Sequence, residues 1–222
     1  MIVHLVTDRA RLAGRGGGRP QDPSGLLAQI DAAIAARIDV VQVREPDLEA
    51  RELATIVRAA VARAAGSGTR ILVNDRVDVA IACGAAGVHL RGDSLPAGQV
   101  RRIVPPGFIV GRSVHSIAEA IEQAPVVDYL IAGTVWATAS KPDAAPLLGV
   151  DGLAAIARSV AVPVLGIGGV TIERAALLAR AGAAGAAAIA LFQPAANRDQ
   201  GVPLRETVEK LRRSFDLPAS GS

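Results

Sequence analysis

Aromatic residues are scarce in this sequence: Phe, Trp and Tyr together make up 2% of 222 residues. Apolar residues are nevertheless 50% of the chain, mainly Ala, Val, Leu and Ile. That balance argues against a core built on large rings. It suits strands buried on both faces, with helices held close by small residues. Cysteine is limited to Cys83, which excludes a disulfide framework and a cysteine-based zinc site. Cys83 follows a helical run and precedes Gly84, so a buried or half-buried thiol is expected. No stretch is long and uniformly apolar enough to span a membrane, and the chain opens on the strand-like MIVHLVTD without a charged leader. A cytoplasmic protein with no membrane partner is the expectation.

A one-sided charge distribution is also lacking. The formal net charge is +3 and the pI about 9.7, carried by Arg far more than by Lys. Basic residues alternate with acids along the helical stretches, which is not the clustered footprint of a nucleic-acid binder. The charge supports no more than a mild attraction for anionic substrates.

What the sequence does have is alternation. Short apolar runs bounded by turn residues recur at 2–6, 39–43, 70–73, 87–90, 108–111, 126–132, 163–166 and 185–189. Helical periodicity fills the gaps. Its start signals are Ser24 ahead of LLAQIDAAIAAR, Asp47 ahead of LEARELATIVRAAVARAA, and the capping-box pattern from Ser116 to Glu119. Pro96 and Thr171 fall at first turns. Repeated strand–helix alternation predicts an α/β, single-domain (β/α)8 TIM barrel over residues 1–216, with a flexible tail at 217–222. An open doubly wound sheet is the alternative. Residues 14–25 follow the first strand and would overhang the barrel mouth, as a lid or as a disordered loop.

In such barrels chemistry sits at the C-terminal strand ends, and polar residues gather there in this sequence. They are Thr7 and Asp8; Gln42, Arg44 and Glu45; Asn74, Asp75 and Arg76; His89, Arg91, Asp93 and Ser94; then Arg112, Ser113 and His115. Each has a plainer reading. Arg44–Glu45 could be a surface ion pair, Asn74–Asp75 an Asx turn, and His89 a satisfied core histidine. His115 lies beyond its strand and is the better acid/base candidate. Trp136 is either loop packing or a wall for a flat ring. Two loops have the makings of phosphate sites. One carries Thr138, Ser140 and Lys141; the other pairs the Gly168–Gly169 turn and the helix behind it with the strand end at Ile189 and Ala190.

These motifs in order, VTD (6–8), QVRE (42–45), NDRVDVA (74–80), GVHL (87–90), GRSVHS (111–116), GTVWATASK (133–141), GIGGV (166–170) and GAAGAAAIALF (182–192), resemble the thiamine phosphate synthase/thiazole tautomerase superfamily. That superfamily holds two activities. The synthase joins a pyrimidine diphosphate to a thiazole phosphate and expels diphosphate with Mg2+; the tautomerase (TenI-like) aromatises thiazole carboxylate phosphate without a metal. For the synthase the resemblance implies pyrimidine contacts at 42–46 and Asn74, magnesium at Asp75, and phosphate contacts at Thr138, Ser140 and Lys141. It further implies thiazole-phosphate contacts at Gly168, Gly169, Ile189 and Ala190, and a homodimer.

The departures point to the other branch. The synthase pattern at 42–46 ends in Lys where this chain has Pro46. The second metal carboxylate falls on Ser94, the strand-4 loop reads Arg91-Gly92-Asp93-Ser94, and Ala190 replaces a hydroxyl. Losing cations and metal ligands weakens support for a departing diphosphate. The GRSVHS string also resembles the tautomerase branch, whose catalytic histidine aligns with His115. The expectation is therefore a metal-independent thiazole tautomerase, an isomerase acting on a small phosphorylated thiazole. In it His115 is the acid/base, Gln42, Arg44 and Asn74 orient the substrate, and Arg91 and Ser113 also line the site. The alternatives are a Mg2+-dependent synthase, with Arg91 or Arg112 in place of the missing lysine, and a non-catalytic phosphate-binding barrel.

Overall fold

The computed structural model describes residues 1–13, 23–138, 146–193 and 203–216. The strands are β1 (Ile2–Val6), β2 (Val40–Val43), β3 (Arg70–Asn74), β4 (Gly87–Leu90), β5 (Ile109–Val114), β6 (Tyr129–Gly133), β7 (Val164–Ile167) and β8 (Gly185–Ala188). Each pairs in parallel with its sequence neighbours, and β8 returns to β1 with Ile2 opposite Gly185. The sheet closes as the expected (β/α)8 barrel, which rules out the open doubly wound alternative. Around it run α1 (Arg9–Ala13), α2 (Ser24–Ala35), α3 (Ala50–Ala64), α4 (Val77–Ala82), α5 (Ala97–Arg101), α6 (Ile117–Gln123), α7 (Gly149–Ser159), α8 (Ile172–Arg180) and α9 (Leu204–Asp216).

Alternation along each strand makes two cores. Outward residues such as Val3, Leu5, Val41, Val43 and Val73 meet Leu26, Ile30, Leu53 and Val57 of the helices. Inside the barrel, Leu72, Tyr129, Ile131, Leu165 and Ala187 form a separate plug, flanked by Ile2, Val40, Ile109 and Ile167. Each fully buried Leu or Ile contributes about 1.5–3 kcal/mol. The ring of Tyr129 fits because its neighbour is Gly111: a Cβ there would lie 2.0 Å from Tyr129 Cζ. Cys83 is buried and its thiol approaches the Ala54 carbonyl at 3.5 Å, as expected of a structural thiol.

At the N-terminal end of the barrel, carboxylates hold the strands together. Asp39 accepts from the Val3 N–H at 2.7 Å and from Arg212 of α9 at 2.9 Å. Arg212 also donates to the carbonyls of Met1 (3.2 Å) and Arg37 (3.0 Å). Asp128 accepts from the Val110 N–H at 2.7 Å and pairs with Arg101. These links leave the opposite end for chemistry.

Several local expectations need correction. Asp47 does not cap α3; Pro46 to Leu48 form a turn, and the cap is Glu49 with a reciprocal Glu49–Glu52 box. Ser116 caps α6 as expected, accepting from the Glu119 N–H at 3.2 Å, but Glu119 reaches back to the His115 N–H at 2.8 Å. The β6 strand begins at Tyr129, later than expected, because Pro125 starts a 3-10 turn over Ala124–Val126. Pro96 is the cap of α5. Residues 14–22 of the expected lid or loop, and the tail at 217–222, lie outside the described residues.

Candidate active site

The C-terminal mouth is lined by residues continuing the inward registers of β1 to β5. His4 on β1 and Gln42 on β2 are both buried, and His4 Nε2 lies 3.0 Å from Gln42 Oε1. Gln42 Nε2 donates to Asn74 Oδ1 at 2.8 Å. Asn74 is therefore engaged by the neighbouring strand and is not the helix cap of an Asx turn; α4 has no side-chain cap. Burial lowers the His4 pKa to about 4, opposed by its bond to Gln42, so the ring is neutral near pH 7. Deeper in, His89 Nδ1 lies 3.0 Å from the Tyr129 hydroxyl and His89 Nε2 lies 2.9 Å from Ser113 Oγ. Burial, with His4 and Arg112 nearby, pushes the His89 pKa well down. His89 is thus a satisfied core histidine that also fixes Ser113.

The turn after β3 brings Asp75 to the loop after β4. Asp75 takes a left-handed conformation, φ 63, which short polar side chains tolerate better than most. Its N–H donates to the His89 carbonyl at 2.9 Å, and its carboxylate accepts the Ser94 hydroxyl. Ser94 Oγ in turn accepts from the Arg91 N–H at 2.7 Å. Arg112 holds this loop from below, donating to the Gly92 carbonyl at 3.0 Å and the Leu95 carbonyl at 3.1 Å. Both terminal nitrogens of the Arg112 guanidinium are therefore engaged by the loop. Arg91 pairs with Asp93 at the surface.

Glu45 is buried and does not pair with Arg44. It accepts from the Thr7 hydroxyl at 2.6 Å and from the Arg9 N–H at 3.1 Å, while Thr7 Oγ1 accepts from the Arg44 N–H at 2.9 Å. Burial raises the Glu45 pKa, opposed by the Thr7 and Arg9 bonds. This cluster ties the end of β1 to the end of β2 and sets the Arg44 backbone. The Arg44 guanidinium pairs with no group among the described residues, which suits a cation waiting for an anionic ligand. His115 is exposed; its ring Nδ1 meets the Gly133 carbonyl, so it links the ends of β5 and β6.

On the far side of the mouth, β7 ends in Gly168 (φ 97) and Gly169 (φ 64), conformations that favour glycine. A Cβ on Gly168 would meet Thr134 Cγ2 at 2.4 Å, and one on Gly169 would meet Trp136 Cβ at 2.7 Å. The turn is thus wedged under the loop after β6. No described residue accepts from the N–H groups of Gly168 and Gly169. Thr171 caps α8 by accepting from the Arg174 N–H at 3.3 Å, and Arg174 donates to the Gly169 carbonyl at 2.8 Å. Its guanidinium lies 5.1 Å from the centre of the Trp136 ring, so the ring packs against α8. Ile189 and Ala190 follow β8, leading into a 3-10 turn over Ala190–Phe192. Thr138 is half-buried, whereas Ser140 and Lys141 lie outside the described residues.

A closed parallel barrel with its polar groups at the C-terminal mouth has the layout of the (β/α)8-barrel enzymes. The sequence places it more narrowly, because the chain belongs to the family described as thiamine monophosphate synthase, whose model matches residues 18–192. A thiamine-phosphate synthase from Roseiflexus castenholzii is 41% identical over 189 residues, 85% of this chain and 79% of that protein. One from Azorhizobium caulinodans is 36% identical over 215 residues, covering 96% and 97%. The structure of thiamine phosphate pyrophosphorylase from Pyrococcus furiosus superposes with a TM-score of 0.78 at 28% identity, covering 97% of this chain and 95% of that one.

These comparisons overturn the expectation of a thiazole tautomerase, an isomerase with His115 as its acid/base. The relatives are synthases, which are transferases. The expectation rested on His115 in the GRSVHS string and on departures from the synthase pattern, chiefly the charges lost at Pro46 and Ser94. It undercounted the ligand, because magnesium bound with a phosphorylated substrate draws much of its coordination from phosphate oxygens and water.

Proposed function

We propose that this chain is a thiamine-phosphate synthase. It joins hydroxymethylpyrimidine diphosphate to thiazole phosphate, breaking the C–O bond to diphosphate as the bond to the thiazole forms. The observation that carries this reading is the identity of 36–41% to thiamine-phosphate synthases over 85–96% of the chain. The barrel topology is consistent with it. Gln42, Arg44, Asn74, Asp75, Arg91 and Ser113 sit at the ends of β2 to β5, while Gly168, Gly169, Ile189 and Ala190 sit at the ends of β7 and β8. Two substrates can then meet across one mouth.

In this reading Gln42 and Asn74 hold the pyrimidine, and Arg44 faces its diphosphate. The backbone of Gly168 and Gly169, ahead of α8, receives the thiazole phosphate. Among the described residues no group of three or more His, Cys, Asp or Glu side chains converges on a metal position. The donors that do converge, the Asp75 carboxylate and the Ser94 hydroxyl, are hard oxygens on two loops. They fit a magnesium ion that takes its other ligands from substrate and water. Such an ion would offset the charge that develops on the departing diphosphate. Asp75 and Ser94 orient that end of the site, and Arg112 keeps the Ser94 loop in place. Growth of a bacterial strain lacking its own synthase, on medium without thiamine, tests the reading. The chain should restore growth and the Asp75→Asn variant should not; no rescue by the wild-type chain would contradict it.

A further inference from the structure

His4 stands outside the site as the sequence describes it, yet it lies behind the residues assigned to the pyrimidine. It is fully buried on β1, its ring 6.2 Å from that of His89 and 5.7 Å from that of Tyr129. One ring nitrogen meets Gln42; the other, Nδ1, is buried with no partner among the described residues. Gln42 continues to Asn74, so one imidazole and two amides form a chain from the barrel interior to the mouth.

Such a chain can run in two directions. If the proton is on His4 Nε2, Gln42 accepts with its oxygen and donates with its nitrogen. Asn74 must then accept with its oxygen, and its amide N–H pair is left facing the mouth. With the proton on Nδ1 the polarity reverses and Asn74 offers its oxygen. The second arrangement buries an N–H without an acceptor. The first leaves only an unused lone pair, the lesser cost. Ring nitrogens of a pyrimidine are acceptors, and the first arrangement gives them donors.

We propose that His4 is a positioning residue: its Nε2–H fixes the orientation of Gln42, which makes Asn74 present its N–H pair to the pyrimidine ring. The identity of the ligand rests on the synthase reading; the polarity of the chain does not.

The test has two parts. In the full-length protein labelled with 15N-histidine, long-range 1H–15N spectra should show His4 as the neutral Nε2–H tautomer at pH 7. An Nδ1–H tautomer overturns the proposal. In steady-state assays, His4→Leu should raise KM for the pyrimidine diphosphate by about tenfold to a hundredfold, with KM for thiazole phosphate changed by less than about threefold. His4→Gln supplies an N–H near the same place and should bring the pyrimidine KM back to within about threefold of wild type. A pyrimidine KM unchanged in His4→Leu, or equally raised in His4→Gln, overturns it. If the wild-type protein forms no thiamine phosphate, the synthase reading fails while the spectra still decide the direction of the chain.

Discussion

The Ser94 hydroxyl donates to the Asp75 carboxylate, joining the loop after β4 to the turn after β3 at the barrel mouth. The resemblance puts a second carboxylate of the synthase pattern at position 94, so under the proposed function the site would have one negative charge fewer. Asp75 then carries the protein's charged share of any cation site there. Asp75→Asn should lower kcat/KM for thiamine phosphate formation by about a hundredfold or more. Thermal unfolding should shift little, because Asn also tolerates the left-handed backbone.

Restoring the second carboxylate reads the same relationship from the other side. Ser94→Asp should lower the half-saturating Mg2+ concentration severalfold, since divalent cations gain affinity with ligand charge. An unchanged Mg2+ dependence in a folded, active variant would show that position 94 lies away from the cation.

Arg112 is buried and holds the same loop through the Gly92 and Leu95 carbonyls. Arg112→Met should cost roughly 1–3 kcal/mol, measured by urea denaturation with an unchanged m-value. It should also raise the Mg2+ requirement, because Ser94 is no longer held opposite Asp75.

Arg44 should show the reverse balance. Its backbone is held by Thr7, but its guanidinium has no partner among the described residues. Arg44→Met should leave the melting temperature within about 2 °C of wild type. It should raise KM for the pyrimidine diphosphate by about tenfold, the loss of one charge-assisted contact. Titrating substrate against both proteins measures the two effects.

Acid stability should carry the mark of His4. Folding depresses its pKa from 6.5 to about 4, so the unfolded chain binds the extra proton. The contribution is complete above pH 6.5 and is lost as pH falls toward 4, on the order of 3 kcal/mol at its limit. His89 acts in the same direction. Glu45, whose pKa is raised by burial, opposes both, because its folded form holds a proton to higher pH. Comparison with His4→Gln isolates the first effect: the variant should lose less stability between pH 6.5 and pH 4 when urea midpoints are followed across that range.

The fold was legible because its determinants are local. Short, mainly apolar runs bounded by turn residues set the strands Ile2–Val6 and Gly87–Leu90 to the residue. Where a local signal had a rival nearby, boundaries moved: Glu49 displaced Asp47 as a cap, and Pro125 delayed β6. The polar strand ends marked the mouth, but their partners are set by closure of the barrel. Arg112 reads as a spare cation until the fold places its head on carbonyls 17 and 20 residues back. His4 sits in a run of apolar residues, 38 positions from Gln42, and the one sign of its role is its inward register on β1. The choice of reaction was misread because neither His115 in GRSVHS nor the departures at Pro46 and Ser94 outweigh the identity to synthases along most of the chain.

The synthase activity is tested by incubating the purified protein with hydroxymethylpyrimidine diphosphate, thiazole phosphate and Mg2+. Thiamine phosphate and diphosphate are then measured together. Both products should form in equal amounts, dependent on Mg2+ and lost in Asp75→Asn. Failure to form either product at high enzyme concentration would contradict the synthase reading.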